Sequence, residues 1–198
     1  MKKVALTGNI ASGKTTTLKF IKQLGFPTIS SDEIYHKLLK KDKILRQQLV
    51  ARFGTSIINS DGSINTIFLR KLLQINPKEI NFIEKLSHPK ILKEIKFFLQ
   101  KNAKQKKELV VVDIPLLFEK NLQSMFDYVI TVYCSKSTQK KRLKQRNLDY
   151  DDIRFLFSRQ LPVETKLKRS DYTIYNDKIT FKQLKTEIKN ICNKILNS

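Results

Sequence analysis

Eight residues near the start of the chain, Gly8-Asn9-Ile10-Ala11-Ser12-Gly13-Lys14-Thr15, carry the spacing G-x-x-x-x-G-K-[ST]. The chemistry open to such a run is the enclosure of a phosphate chain. Gly8 and Gly13 permit backbone angles that other residues resist, so successive N–H groups can converge on phosphate oxygens at the positive end of a following helix. Lys14 would neutralise the β- and γ-phosphates of a nucleoside triphosphate such as ATP, and the Thr15 hydroxyl suits Mg²⁺. Ala11, Ser12 and Thr16 complete the candidate cradle. The alternative, a glycine turn that happens to precede a helix, leaves the order Gly, Gly, Lys, Thr unexplained. The motif speaks of a phosphoryl donor and says nothing of the acceptor.

Acid and base groups follow at intervals. Asp32 closes Ile29-Ser30-Ser31-Asp32, and Asp113 closes the apolar run Leu109 to Ile114. A carboxylate at either strand end, ionised at neutral pH, can orient and deprotonate a hydroxyl or face a metal. Each also has a plainer reading: Asp32 as a helix cap, and Asp113 as a cap for the turn at Pro115. Arg142 and Arg146 lie four residues apart, on one face of a basic helix, which suits a lid delivering positive charge to a transferring phosphoryl group. The neighbouring Lys140, Lys141 and Lys144 read as a solvated face.

These groups need a scaffold, and the apolar pattern supplies one. Lys3 to Thr7, Phe26 to Ser30, Leu109 to Ile114, Tyr128 to Cys134 and Tyr172 to Tyr175 read as strands. Helical spacing covers Leu18, Ile21 and Leu24, most of the stretch up to about Gln105, Ser135 to Arg146, Asp149 to Leu161, and a helix from Thr180 with Phe181, Leu184, Ile188, Ile191 and Ile195 on one face. Asn59 to Asn65 has turn chemistry around Asp61-Gly62, while Asn76-Pro77 and His88-Pro89 each begin a helix with proline near its first turn. Strands alternating with helices imply an α/β fold, a parallel sheet covered on both sides with ligands at the carboxyl ends of its strands.

Composition narrows the class further. The 198 residues fit one domain, and 40% hydrophobic content with five glycines and five prolines excludes disordered and fibrous readings. Cys134 and Cys192 have no metal-ligand spacing and suit a reducing cytosol. The apolar run after Lys2 and Lys3 is broken by Gly8, Asn9 and Lys14, and no stretch approaches the length of a membrane span, so a cytoplasmic location is expected. The formal charge of +21 is congenial to a phosphate-rich substrate. A specific nucleic-acid module is not expected, because the chain lacks Trp and any RNP-like run, and lysine dominates its basic residues.

The order of the phosphate loop, Ile29 to Asp32, Phe53-Gly54, Asp61-Gly62, His88-Pro89-Lys90-Ile91, Asp113-Ile114-Pro115-Leu116-Leu117-Phe118-Glu119, Phe126-Asp127, Gln139 through Arg146, Gln160, Lys166, Asp171 and Asn176 resembles the dephospho-CoA kinase family over nearly the whole chain. The phosphate loop is widely shared. The Pro-Leu-Leu-Phe-Glu and His-Pro-Lys-Ile segments together are far more particular. The resemblance implies a three-layer P-loop core (about 1–32, 108–135 and 170–198), a helical acceptor-binding insertion (about 33–107) and a helical lid (about 136–169). It implies transfer of the ATP γ-phosphate to the ribose 3′-hydroxyl of dephospho-CoA, with Lys14, Asp32 and Arg142 as catalytic groups. Arg146 and Asn176 would join the phosphate loop in binding ATP. Asp32, His88, Asp113, Leu116, Phe118 and Glu119 would meet the acceptor, and a monomer or weak homo-oligomer is expected. The chain departs from the family pattern at Asn9 and Ala11, where glycine is usual, at Ser30 for an acid, at His36 for arginine, and at Asp177 for glycine. The rivals are a P-loop kinase for another nucleoside, nucleotide or metabolite, and a nucleic-acid-stimulated NTPase motivated by the charge.

Overall fold

The apolar runs fall into a parallel sheet in the computed structural model, which describes residues 1–145 and 149–198. β1 (Lys2–Thr7), α1 (Lys14–Gln23) and β2 (Thr28–Ser30) come first, followed by α2 (Ser31–Lys41), α3 (Lys43–Phe53), α4 (Thr66–Ile75) and α5 (Glu79–Lys104). Then come β3 (Leu109–Asp113), β4 (Tyr128–Tyr133), α6 (Lys136–Lys144), α7 (Tyr150–Ser158), α8 (Val163–Lys168), β5 (Tyr172–Tyr175) and α9 (Phe181–Leu196). The strand order is β2-β3-β1-β4-β5, with every neighbouring pair parallel.

All five residues of β3 are buried, as a continuous apolar run in a parallel sheet covered on both faces requires. Register sets Leu6 of β1 and Ser30 of β2 on either side of Asp113, so three strands finish at one level. The chain divides into two compact units, residues 1–30 with 98–198, and residues 31–97. In the first, Val4, Leu6, Ile21, Val111, Ile130 and Ile174 pack with Leu184, Ile188 and Ile195 of α9. In the second, Leu39, Leu45, Leu49, Ile57, Leu69 and Ile83 form a separate core.

Local chemistry sets the helix ends. Asp42, Asn65, Ser135, Asp149 and Thr180 each accept a backbone N–H as N-caps, and Thr180 with Gln183 forms a reciprocal capping box. The turn around Asp61-Gly62 closes as expected: Asn59 N–H donates to the Ser63 carbonyl, and Ile58 bridges Ile64.

Three features differ from the pattern-based expectation. Pro89 begins no helix; it lies inside the 26-residue α5. An interior proline costs about 3 kcal/mol, but buried Ile83 and Ile95 flank it on the same helix and favour continuation. α8 has only six residues, too few to show a period. Phe181, placed on the apolar face of α9, is 73% exposed and touches Phe20 edge-on at its first turn. Among the described residues, no helix is long and apolar enough to cross a membrane.

Candidate active site

The loop between β1 and α1 is built for an anion. Gly13 stands at the N-cap of α1 with φ 105°, no side chain caps the helix, and its first turn has no acidic residue. Its leading amides and the positive end of its dipole are therefore not neutralised by a side chain. Lys14 folds back across the loop, its Nζ donating to the carbonyls of Gly8 (2.7 Å) and Asn9 (3.1 Å). The Ser12 hydroxyl is buried without a hydrogen-bond partner, an orphan that a phosphate oxygen would satisfy. Thr15 is exposed, leaving its hydroxyl accessible.

Distant elements hold this loop in shape. Arg142 of α6 donates Nη1 to the carbonyls of Ala11 (3.2 Å) and Ser12 (3.0 Å), and Nη2 to that of Asn176 (3.0 Å). Asn176, just past β5, donates its carboxamide to the Ser12 carbonyl at 2.8 Å. Ile10 is gripped at both backbone groups: its N–H donates to Gln160 Oε1 (2.9 Å) and its carbonyl accepts from Gln139 Nε2 (2.6 Å). Arg142 thus commits its fork to backbone carbonyls and orders the loop; turning toward a phosphoryl group would break those bonds. No local signal in the sequence marks Gln139 or Gln160 for this task; only the family resemblance includes them.

Ala11 has φ 58°, a left-handed conformation costing an alanine about 1–2 kcal/mol. Its carbonyl accepts from both Arg142 and the Cys134 thiol, which offsets part of that cost. Burial raises the Cys134 pKa, so the sulfur stays a neutral donor. The Asp177 carboxylate accepts from the Thr138 hydroxyl, and that bond holds its pKa below the ordinary value. The loop after β5 is thereby tied to α6.

A side chain at Gly13 is disfavoured on two counts. A Cβ there would lie 1.9 Å from Asn176 Nδ2, at a φ that disfavours any L-residue. Gly13→Ala is expected to destabilise the protein by about 2–3 kcal/mol from strain and displacement of Asn176. Asn176→Ala in the same chain should recover part of that loss, because it removes the group the methyl strikes. Thermal denaturation of both single variants and the double checks this, and strict additivity would mean that the collision is not the cause.

At the strand ends Asp113 is 6% exposed, and its Oδ2 accepts from the Ser30 hydroxyl at 3.4 Å. An acid at position 30 would set two carboxylates against each other; serine supplies a donor instead. Beyond β3, Leu116 is half-buried, while Leu117 and Phe118 are buried. Phe118, expected to offer apolar surface to an acceptor, is 2% exposed, with the Arg169 guanidinium 4.6 Å over its ring. It belongs to the core. Glu119, expected at the same surface, turns inward: Oε1 accepts from Leu161 N–H (2.8 Å) and meets Lys166 Nζ (2.8 Å). Arg146 lies outside the described residues.

Within residues 31–97, Asp32 is exposed in the first turn of α2, inside the helix and not at its cap. His88 is half-exposed on α5, 3.9 Å from Glu84. Lys90, its neighbour in the His-Pro-Lys-Ile segment, pairs at 2.5 Å with Asp42, the N-cap of α3. The bond from Leu45 N–H and that pairing hold Asp42 below the ordinary carboxylate range.

No group of three or more His, Cys, Asp or Glu among the described residues forms a metal cluster. The oxygen donors present, Thr15 and the strand-end carboxylate of Asp113, fit a hard cation carried in with a triphosphate.

Comparison with known proteins bears on this geometry. The chain is 34% identical over 174 residues to the dephospho-CoA kinase of Carboxydothermus hydrogenoformans, covering 87% of this chain and 84% of that protein. The solved dephospho-CoA kinase of Campylobacter jejuni superposes with a TM-score of 0.72 at 25% identity, covering 98% and 97% of the two chains. Shikimate kinase from Bacteroides thetaiotaomicron, at 14% identity and a TM-score of 0.53 over 97% and 98%, shares the fold alone. With a phosphate loop that distant residues hold in place, and a match of the dephospho-CoA kinase family model to residues 2–181, this chain belongs to the dephospho-CoA kinase family.

Proposed function

We propose that this chain transfers the γ-phosphate of ATP to the 3′-hydroxyl of dephospho-CoA, with the phosphate loop as donor site. The observation that carries the donor half is the uncapped start of α1, with the Lys14 ammonium laid over the loop carbonyls. Lys14 exchanges those carbonyls for β- and γ-phosphate oxygens, and amides from Gly13 onward receive the phosphate chain. Thr15 and Asp113 would hold Mg²⁺, which supplies neutralisation of phosphate charge when bound. Asp32, two residues beyond the end of β2, orients the acceptor hydroxyl and takes its proton as the new O–P bond forms and the bond from the γ-phosphorus to the β-bridging oxygen breaks. His88 and the exposed edge of Leu116 contribute to acceptor binding. Arg142 supports ATP binding by keeping the loop carbonyls in place, and Arg146 is proposed to bind ATP.

A substrate panel tests the acceptor. Purified chain with Mg-ATP should phosphorylate dephospho-CoA with a kcat/KM at least about 10²-fold above that for AMP or nucleosides. Preference for a plain nucleotide would overturn the reading. ATP hydrolysis that rises on adding RNA, together with site-specific RNA binding, would favour the NTPase rival; weak, salt-sensitive binding would not.

A further inference from the structure

Lys166 of α8 is 0% exposed, a rare position for an ammonium, and none of the chemistry above uses it. Its Nζ donates to the Pro115 carbonyl (3.0 Å) and meets Glu119 Oε1 (2.8 Å), so one charge grips both ends of the segment after β3. The Pro115 carbonyl also accepts from the Thr7 hydroxyl (3.3 Å), the last residue of β1 before the phosphate loop. Glu119 Oε1 accepts in addition from Leu161 N–H, beside the Gln160 that holds Ile10. Behind the ammonium, the Lys166 carbonyl accepts from the Ser170 hydroxyl (2.7 Å), which lies 2.5 Å from the Thr131 hydroxyl of β4. Burial pushes the Lys166 pKa down and Glu119 opposes that push.

A buried ion pair is a weak source of stability, since well-packed apolar residues often replace one without loss. What this pair does is geometric. The cation meets the Pro115 carbonyl and Glu119 directly, and those two groups in turn accept from the Thr7 hydroxyl at the end of β1 and from the N–H of Leu161, next to Gln160. We propose that Lys166 is a positioning residue for phosphoryl transfer, acting through Pro115 and Glu119 to hold the strand-end segment that follows Asp113. The proposal rests on the kinase reading, because the segment Lys166 holds carries Leu116, proposed to meet the acceptor, and directly follows Asp113, proposed to hold the cation.

Lys166→Met and the double variant Lys166→Met with Glu119→Gln separate geometry from stability. Lys166→Met leaves the Glu119 carboxylate buried without its cation and should lower both the thermal midpoint and kcat, the latter by about tenfold or more. The double variant removes the stranded charge and should recover much of the thermal midpoint. Its kcat should stay low, with KM for dephospho-CoA raised and KM for ATP within about twofold of the parent. Recovery of kcat together with the midpoint, a single variant within about twofold of parental kcat, or failure of both variants to fold would each make the pair merely structural and overturn the proposal. Failure of the kinase reading itself would show separately, as absence of dephospho-CoA phosphorylation by the unaltered chain.

Discussion

Lys14→Ala is expected to lower kcat/KM for phosphoryl transfer by at least about 10³-fold, a loss near 4 kcal/mol of transition-state stabilisation. The physical reason is that the ammonium sits at the mouth of the loop on a carbonyl pair it can exchange for phosphate oxygens. Alanine cannot supply the charge, and water entering the vacated space screens without being preorganised. The fold should survive. Lys14 is half-buried in the first turn of α1, where alanine is the better helix former, so the thermal midpoint should stay within about 3 °C. Steady-state kinetics beside thermal denaturation checks both halves. Turnover within tenfold of the parent would remove the phosphate loop from the mechanism, and a collapse of the midpoint would recast Lys14 as a structural clamp.

Asp32→Asn should cost at least about 10²-fold in kcat while KM for ATP changes less than about threefold. The substitution keeps shape and polarity in the exposed first turn of α2, so packing is untouched. What it removes is the charge that accepts the hydroxyl proton. This position matters more here than an aspartate in isolation, because Ser30, the last residue of β2, is not an acid and leaves fewer carboxylates near the strand ends. An unchanged turnover number would return Asp32 to the task of favouring a helix N-terminus. A large rise in KM for ATP would place it at the donor instead.

The strands, the parallel sheet and the phosphate loop were legible because each rests on neighbouring residues. β-branched runs such as Val110 to Val112 read directly as buried strands, and Thr180 with Gln183 announces its own helix start. The acceptor was legible only through resemblance, since no single side chain in Glu33 to Lys107 specifies a ligand. Pro89 misled because the cost of a proline is local, whereas the burial of Ile83 and Ile95 that overrides it is not. Phe118 could be acceptor surface or core from sequence alone, for a related reason: an apolar residue after a strand end faces ligand or core according to what covers it, here Arg169.

By itself, the sequence determined that a triphosphate could be bound and where, because Gly8, Gly13, Lys14 and Thr15 act through backbone freedom and a helix end that lie within eight residues of chain. Only the tertiary structure decided what holds that loop in shape. Asn176 and Ser12 are 164 residues apart, and Arg142 meets Ser12 across 130. Whether Lys166 is a solvated charge or a buried tie depends in the same way on Pro115 and Glu119, brought to it by the packing of α8 against the sheet. A hydrogen bond is a matter of ångströms, and separation along the chain says nothing about which donor reaches which acceptor until the sheet has folded.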